Sequence, residues 1–273
     1  MPGRILLNVC LLWLVSTLMP GGHGVVTVGA EMLVNPNAGV LQYEEPRWLT
    51  GAIYGQGPDN RKLLFKFQRE ATRSGKRLTV QRDYTYPDGK IAARERVIYD
   101  ANELVSYELD ELQIGAEGSA KIERESKNPA KDSIQFRYTN QAGEKPKAST
   151  EALRENTLIN DMVGPFIASH WDRILNGQKV KCRYVVVPRK ETVGFTFAKD
   201  ATSIWRDRGV IILKMEPSSP FISALVDPLY FTVEKDPPHR VLQYVGRTTP
   251  KVEAAGKWKD LDAVTVFDWK SAH

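Results

Sequence analysis

Cysteine and histidine are scarce in this sequence, and their scarcity excludes several classes of protein. Only 2 of the 273 residues are cysteine and 4 are histidine. Cys10 lies in an apolar N-terminal stretch, so a chain that loses this stretch keeps Cys182 alone and forms no internal disulfide. The two histidines away from the chain ends, His170 and His239, are too few for a histidine-based metal site. We therefore expect no disulfide framework, no metal and no cofactor.

Apolar stretches long enough to cross a membrane are also missing. Arg4 is followed by an apolar stretch over residues 5–19, which a Pro-Gly-Gly sequence ends. A charged start, a short apolar core and a small-residue exit are typical of a secretory signal, whereas a membrane span needs about 20 apolar residues. We predict a signal peptide over residues 1–30, cleaved after Gly24 or after Ala30. The expected product is an exported soluble protein, periplasmic or secreted, and the lack of disulfides favours a bacterial periplasm.

Motifs for catalysis and for nucleic-acid binding are absent as well. The sequence contains no glycine-rich phosphate loop and no nucleophile elbow, so it predicts no catalytic residue and no enzyme. The net charge is +5 with a pI of about 9.1, but the basic residues are scattered. Nucleic-acid-binding surfaces usually concentrate their basic residues. We therefore expect no nucleic-acid partner.

Alternation of apolar and polar residues dominates what is present. Leu63, Phe65 and Phe67 fall on one face of one segment, and Leu78 and Val80 fall on one face of the next. Period-two alternation indicates half-buried strands, and short turn sequences between them, such as Pro-Asp-Gly-Lys, indicate hairpins. The pattern predicts an antiparallel meander over residues 31–149 and further strands over residues 178–273.

One segment departs from this pattern and has helical spacing. The predicted central helix covers residues 150–177, and residues 156–175 carry apolar side chains around more than half of its circumference. Because a helix on a flat sheet needs an apolar stripe of only about 100°, this helix is expected to be enclosed. Gly164 and Pro165 predict a kink, or two short helices meeting there.

Together these patterns predict a mainly β (α+β) domain over residues 31–273, with a large curved antiparallel sheet, or half-open barrel, wrapped around a central kinked helix. This architecture resembles the half-open barrels of bacterial lipoprotein carriers of the LolA/LolB type and related secreted β-rich proteins. The resemblance implies a sheet that shelters acyl chains around a helical plug, and it transfers no functional residue. Two strand-rich halves around the helix, and no lipid-anchoring cysteine, distinguish this chain from that family.

The candidate ligand site lies between the predicted sheet and helix. It includes aromatic and histidine positions of the helix, two apolar positions of a proline-bounded segment that forms either a packed lid or a mobile flap, and an arginine at the end of a strand. These residues are Phe166, His170, Trp171, Phe221, Leu225 and Arg247. The sequence also allows a packed core histidine at position 170 and an ion pair at Arg247 on a sheet edge.

Two function hypotheses follow, and the sequence leaves both open. In the first, an exported envelope protein binds or carries an apolar or amphipathic, lipid-like ligand, because ligand pockets are mainly apolar with a few polar groups. In the second, a non-enzymatic structural or assembly protein fills the same space with its own side chains. A third and weaker alternative is a hydrolase that uses His170.

Overall fold

Antiparallel strands make up most of the molecule. The computed structural model describes residues 37–56, 62–223, 227–270 and 272–273. The predicted signal peptide lies outside the described residues. Within them, fifteen strands form one sheet: β1 (Trp48–Gly55), β2 (Leu63–Ser74), β3 (Arg77–Thr85), β4 (Ile91–Asp100), β5 (Glu103–Glu111), β6 (Ala116–Glu123), β7 (Ser133–Thr139), β8 (Lys147–Ala152), β9 (Thr157–Leu158), β10 (Val180–Val186), β11 (Glu191–Trp205), β12 (Arg208–Pro217), β13 (Leu229–Glu234), β14 (Val241–Ala254) and β15 (Lys257–Asp268). The predicted mainly β, antiparallel fold is confirmed.

The order of the strands shows how the chain builds this sheet. From the centre, β1 to β8 follow one another outward to one edge, and the chain then reaches β9 at the opposite edge. From there β10 to β15 lead back to the centre, where β15 pairs with β1. The β9–β10 pair is parallel and the other pairs are antiparallel.

The link between β8 and β9 forces the sheet to curl. From Ala152 to Thr157 the chain spans at most about 18 Å. In a flat sheet, fourteen strand-to-strand steps of about 4.8 Å would separate the two edges by about 67 Å. The two edges therefore meet along a seam, at which Glu151 Oε2 of β8 accepts hydrogen bonds from Thr192 N of β11 at 3.0 Å and from Thr192 Oγ1 at 2.7 Å. No backbone pairing joins β8 to β9 in the described part of the chain, so the sheet stays open.

Gly118 in β6 provides a test of this seam. A Cβ atom at Gly118 would lie 2.5 Å from Val187 Cγ1 and 2.7 Å from Arg137 O. Overpacking of this kind costs about 1–3 kcal/mol, so Gly118→Ala should lower the free energy of unfolding by that amount in urea denaturation. Gly194→Ala is the matched control, because its Cβ would meet Ser218 Cβ at an ordinary 3.5 Å. Equal stability of the two variants would contradict the close approach at the seam.

The helical segment is shorter than the sequence predicts. Residues 150–152 belong to β8, and the predicted helix over residues 156–175 is replaced by β9, a single 3-10 turn (Asn160–Met162) and two short helices. The helices are α1 (Val163–Ser169), α2 (Trp171–Leu175) and, in the proline-bounded segment, α3 (Pro220–Ser223).

The break between α1 and α2 also lies elsewhere than predicted. It occurs at His170, and the kink expected at Pro165 is not there. Pro165 is the third residue of α1, where backbone N–H groups have no partner inside the helix. A proline at this position therefore breaks no helical hydrogen bond.

Two hydrophobic cores lie in the described part of the chain. The larger contains buried residues of α1 and α2 together with strands from both halves of the sheet, and it includes Cys182, whose thiol pKa burial raises to about 12. The smaller joins β1–β4 and β15 through residues such as Ile53, Phe65 and Ala263. Because β14 shifts register between Arg247 and Lys251, its second half also reaches the smaller core.

Candidate functional site

Three charged residues occupy core positions side by side in neighbouring strands. Arg82 of β3 lies directly opposite Arg69 of β2 on one side and Glu95 of β4 on the other. Their exposed fractions are 9%, 2% and 0%, respectively. Buried charges are costly unless they are paired, so the partners of these three residues determine what the site can do.

Asp161, in the 3-10 turn before α1, is the partner of Arg69. Arg69 Nε donates to Asp161 Oδ1 at 2.6 Å and Nη2 donates to Oδ2 at 3.2 Å, while Tyr99 OH donates to Oδ2 at 3.0 Å. Arg69 Nη1 donates to Pro46 O at 2.5 Å. Burial alone would raise the pKa of Asp161, but the Arg69 guanidinium and these hydrogen bonds hold that pKa below its usual value.

Glu95 is held mainly by uncharged donors. Its Oε1 atom accepts hydrogen bonds from three of them, Asn160 Nδ2 at 2.6 Å, Thr249 Oγ1 at 2.5 Å and Tyr84 OH at 3.2 Å. Its Oε2 atom lies 3.1 Å from Arg82 Nη1. Thr249 lies within the register shift of β14, between Arg247 and Lys251, and there a C-terminal strand reaches Glu95 of β4.

Arg69, Arg82, Glu95 and Asp161 together form a charged cluster, and Arg82 has the fewest hydrogen bonds of the four. Its guanidinium lies over the Phe67 ring, with 5.2 Å between Cζ and the ring centroid. Among the described residues, Nε and Nη1 have no acceptor in hydrogen-bond geometry, although the Glu95 carboxylate is close to Nη1. A buried donor without an acceptor costs about 1–3 kcal/mol, and more when it is charged.

A cavity of about 430 Å³ adjoins this cluster. Arg69, Arg82 and Asp161 line one part of it. Large apolar and aromatic side chains from both halves of the sheet line another part, and they include Phe67, Phe195, Met215, Phe231, Tyr244 and Phe267. A concave, mainly apolar space with a few polar groups is the usual form of a small-molecule site.

Glu45 lines the same cavity and also a shallow outer cleft. Its carboxylate lies so close to Gly164 that a Cβ atom there would clash with Oε1. Burial raises the pKa of Glu45 to about 7, although neighbouring Arg69 opposes this shift. The charged or titratable groups that face Glu45 are Tyr43, Arg69, Arg82, Asp161 and Arg240.

The raised pKa of Glu45 predicts a stability that falls with pH. The pKa of an unfolded glutamate is about 4.3, so the folded state favours the protonated form, and this stabilisation is lost as pH rises toward 7. Between pH 4 and pH 8 we expect Glu45→Gln to gain roughly 2 kcal/mol of stability relative to the parent. A fully buried group would change the free energy of unfolding by about 1.36 kcal/mol for each unit by which its pKa is raised. We expect a smaller change because Glu45 is partly exposed to solvent.

Urea denaturation of both proteins at several pH values measures this difference, and Glu44→Gln in the exposed neighbouring position is the control. A constant difference between Glu45→Gln and the parent across this range would contradict a titrating Glu45.

Of the predicted site residues, Arg247 alone is seen to line the cavity. Its guanidinium also pairs with Asp260 at 2.6 Å and with Asp262 at 2.9 Å, which is the ion-pair alternative allowed by the sequence. Phe221 lies in α3, but its side chain is not described, while its neighbour Ile222 lines the cavity. Leu225 lies outside the described residues.

The three predicted positions on the helices are packed in the core. Phe166 contacts Phe197, with 5.6 Å between ring centroids. His170 Nδ1 lies 2.9 Å from Phe166 O, and Trp171 stacks on His239 at 4.1 Å. The core-histidine alternative therefore describes His170, and none of the three is among the described residues that line the cavity.

The charged cluster was not predicted from the sequence, although a signal for it exists. Along β3, Arg82 stands in the same alternating phase as the buried residues Val80 and Tyr84. Along β4, Glu95 stands in phase with Ala93 and Val97. Charged residues at positions that alternate with the exposed ones in successive strands indicate a charged group on the buried face of the sheet.

Comparisons with known proteins give no relative from which a role for this site could be inferred. The chain matches no family model, no curated protein and no solved structure. Among the described residues, no helix is long and apolar enough to cross a membrane. The same part of the chain holds no group of three or more histidine, cysteine, aspartate or glutamate residues placed to bind a metal ion.

Proposed function

We propose that this protein is exported to the cell envelope and binds or carries an apolar or amphipathic, lipid-like ligand. The observation that carries the proposal is the cavity of about 430 Å³ with apolar walls and a charged cluster at its border. Its volume falls in the range of about 300–1,000 Å³ that is usual for small-molecule sites. An amphipathic ligand matches this arrangement, because its chain contacts the apolar wall and its polar end meets the cluster.

The architecture supports the same proposal. In it, the curled sheet acts as a half-open barrel and α1 with α2 acts as a plug in its interior, as in lipoprotein carriers. The packing of Phe166 and Ile167 of α1 in the larger core is consistent with this role. The ligand then lies beside the plug, where Phe195 and Phe231 line the cavity.

Native mass spectrometry of the purified protein, followed by organic extraction, tests the proposal. We expect an acyl or isoprenoid species to co-purify at close to one molecule per chain. Val186→Trp, at the cavity wall, should abolish this retention, whereas Ile98→Trp, on the opposite face of β4 from Glu95, should not. A ligand-free mass that gains nothing on incubation with envelope lipids would contradict a carrier.

A packed scaffold protein is the second candidate. It is favoured by one observation, the burial of Phe166 in α1 and Trp171 in α2, two side chains that the sequence had assigned to ligand contact. The ligand-free outcome of the same experiment would support it.

A further inference from the structure

Arg82 differs from its neighbour Arg69 in how its donors are used. All three nitrogen positions of the Arg69 guanidinium donate hydrogen bonds, two to Asp161 and one to Pro46 O. In the described part of the chain, Nε and Nη1 of Arg82 have no acceptor in hydrogen-bond geometry. Both atoms are enclosed, and the rest of the Arg82 side chain, which is 9% exposed in total, lines the cavity.

Glu95 does not supply the hydrogen bonds that Arg82 lacks. One carboxylate oxygen of Glu95 is occupied by three uncharged donors. The other lies 3.1 Å from Arg82 Nη1 without hydrogen-bond geometry, and it is itself a buried oxygen without a hydrogen bond among the described residues. The pair is an ion pair by distance. Nη2 of Arg82 has no hydrogen bond to a described residue and is not enclosed like Nε and Nη1, so it is the donor that a ligand in the cavity can reach.

We infer that Arg82 binds the carboxylate head group of a single-chain amphiphile whose hydrocarbon tail lies along the apolar wall of the cavity. This inference rests on the proposed function and adds the chemical class of the ligand. A guanidinium N–H donates a charge-assisted hydrogen bond to a carboxylate, and bonds of this kind are about twice as strong as neutral ones. Phe67, beneath the guanidinium, fixes its plane.

An added negative charge in the cavity would meet no unpaired anionic side chain. The two guanidinium groups and two carboxylates of the cluster already balance, through the pairs Arg69–Asp161 and Arg82–Glu95. Three further acids line the cavity. Glu111 and Asp260 are paired with Lys251 at 3.2 Å and 2.7 Å, and partial burial raises the pKa of the third, Glu45, to about 7. At pH 6 Glu45 is therefore mostly uncharged, so each anionic side chain that lines the cavity has a cationic partner.

Calorimetric titration of the purified protein at pH 6 with three probes of equal chain length tests the inference. The probes are dodecanoate, dodecan-1-ol and dodecylammonium, each below its aggregation concentration. We expect dodecanoate to bind about tenfold or more tightly than dodecan-1-ol, and dodecylammonium to bind most weakly. Arg82→Gln should remove the preference for dodecanoate, while Arg94→Gln, at a partly exposed position of β4, should keep it.

The possible outcomes separate the inference from the proposed function. Equal or tighter binding of dodecan-1-ol or dodecylammonium by the parent protein would overturn the head-group assignment and leave the ligand-binding role intact. A preference that persists in a folded Arg82→Gln variant would also overturn it. Binding of none of the three probes would instead contradict the proposed function itself. Should Arg82→Gln fail to fold, the parent protein's ranking of the three probes decides alone.

Discussion

Replacing Asp161 with asparagine should lower the free energy of unfolding by about 3–5 kcal/mol at pH 7. Asparagine has the shape of aspartate, so the packing around position 161 is preserved. What the variant removes is the negative charge opposite Arg69, whose side chain is 2% exposed. A buried guanidinium without its counter-charge is strongly unfavourable, and Tyr99 loses a charged acceptor in the same step.

Urea denaturation, followed by tryptophan fluorescence and circular dichroism, measures this loss. The matched control is Glu108→Gln, which breaks the Arg96–Glu108 pair at 3.3 Å, where both side chains are almost half exposed. An exposed pair contributes about 0–1 kcal/mol, so the control should remain close to the parent. Similar stabilities of the two variants would show that the Arg69–Asp161 pair is solvated and not part of a buried cluster.

The effect of Asp161→Asn should also depend on pH in a defined direction. The pKa of Asp161 is held below its unfolded value of about 3.9, so the pair stabilises the protein above that value. This contribution is lost as pH falls through the folded pKa, because the unfolded chain binds its proton first. The difference between the parent and the variant should therefore be largest near neutral pH and shrink in acid.

Replacing Phe166 with alanine should also cost about 3–5 kcal/mol of unfolding free energy. Phe166 is 2% exposed and its ring packs against Phe197 inside the larger core, so the truncation leaves a cavity lined by side chains that have little room to relax. Because Phe166 is not among the described residues that line the ligand cavity, the folded variant should keep the ligand affinity of the parent.

Thermal unfolding and probe titration of two alanine variants separate these effects. Phe195→Ala is the comparison, since Phe195 is also buried but lines the cavity. It should lose both stability and affinity for dodecanoate. If Phe166→Ala were as stable as the parent and had lost the ligand, the ligand would have to reach α1, as the sequence alone suggested.

Local patterns were sufficient to identify the strands. Leu78 and Val80 alternate with polar neighbours, and the structure buries both of them in β3. The tight turn predicted before Ile91 does connect β3 to β4. The pairing of β15 with β1 has no such signal, because it joins the two ends of the described chain, and no local periodicity reports a contact at that separation.

The helix was overestimated for a physical reason. Leu158 and Ile159 are apolar and fit a helical spacing, but the structure places Leu158 in β9, where it pairs with β10. Burial on all sides produces an apolar run in a strand as well as in a helix. The neighbouring Asp161 gave no local signal of its role, because its pairing with Arg69 depends on a contact across 92 residues.

The arrangement of the strands has a consequence for the order in which the molecule assembles. In each half of the sheet, neighbouring strands are also neighbours along the chain. Apart from β9 and β10, which α1 and α2 separate, they pair through short loop closures that cost little entropy. Backbone pairing joins the two halves only when β15, the last strand of the described chain, inserts between β14 and β1 and pairs Thr50 with Asp268. Until synthesis reaches that strand, β1 has one unpaired edge. Such an edge can pair with another chain, so productive folding requires that the edge of β1 be protected until β15 is made.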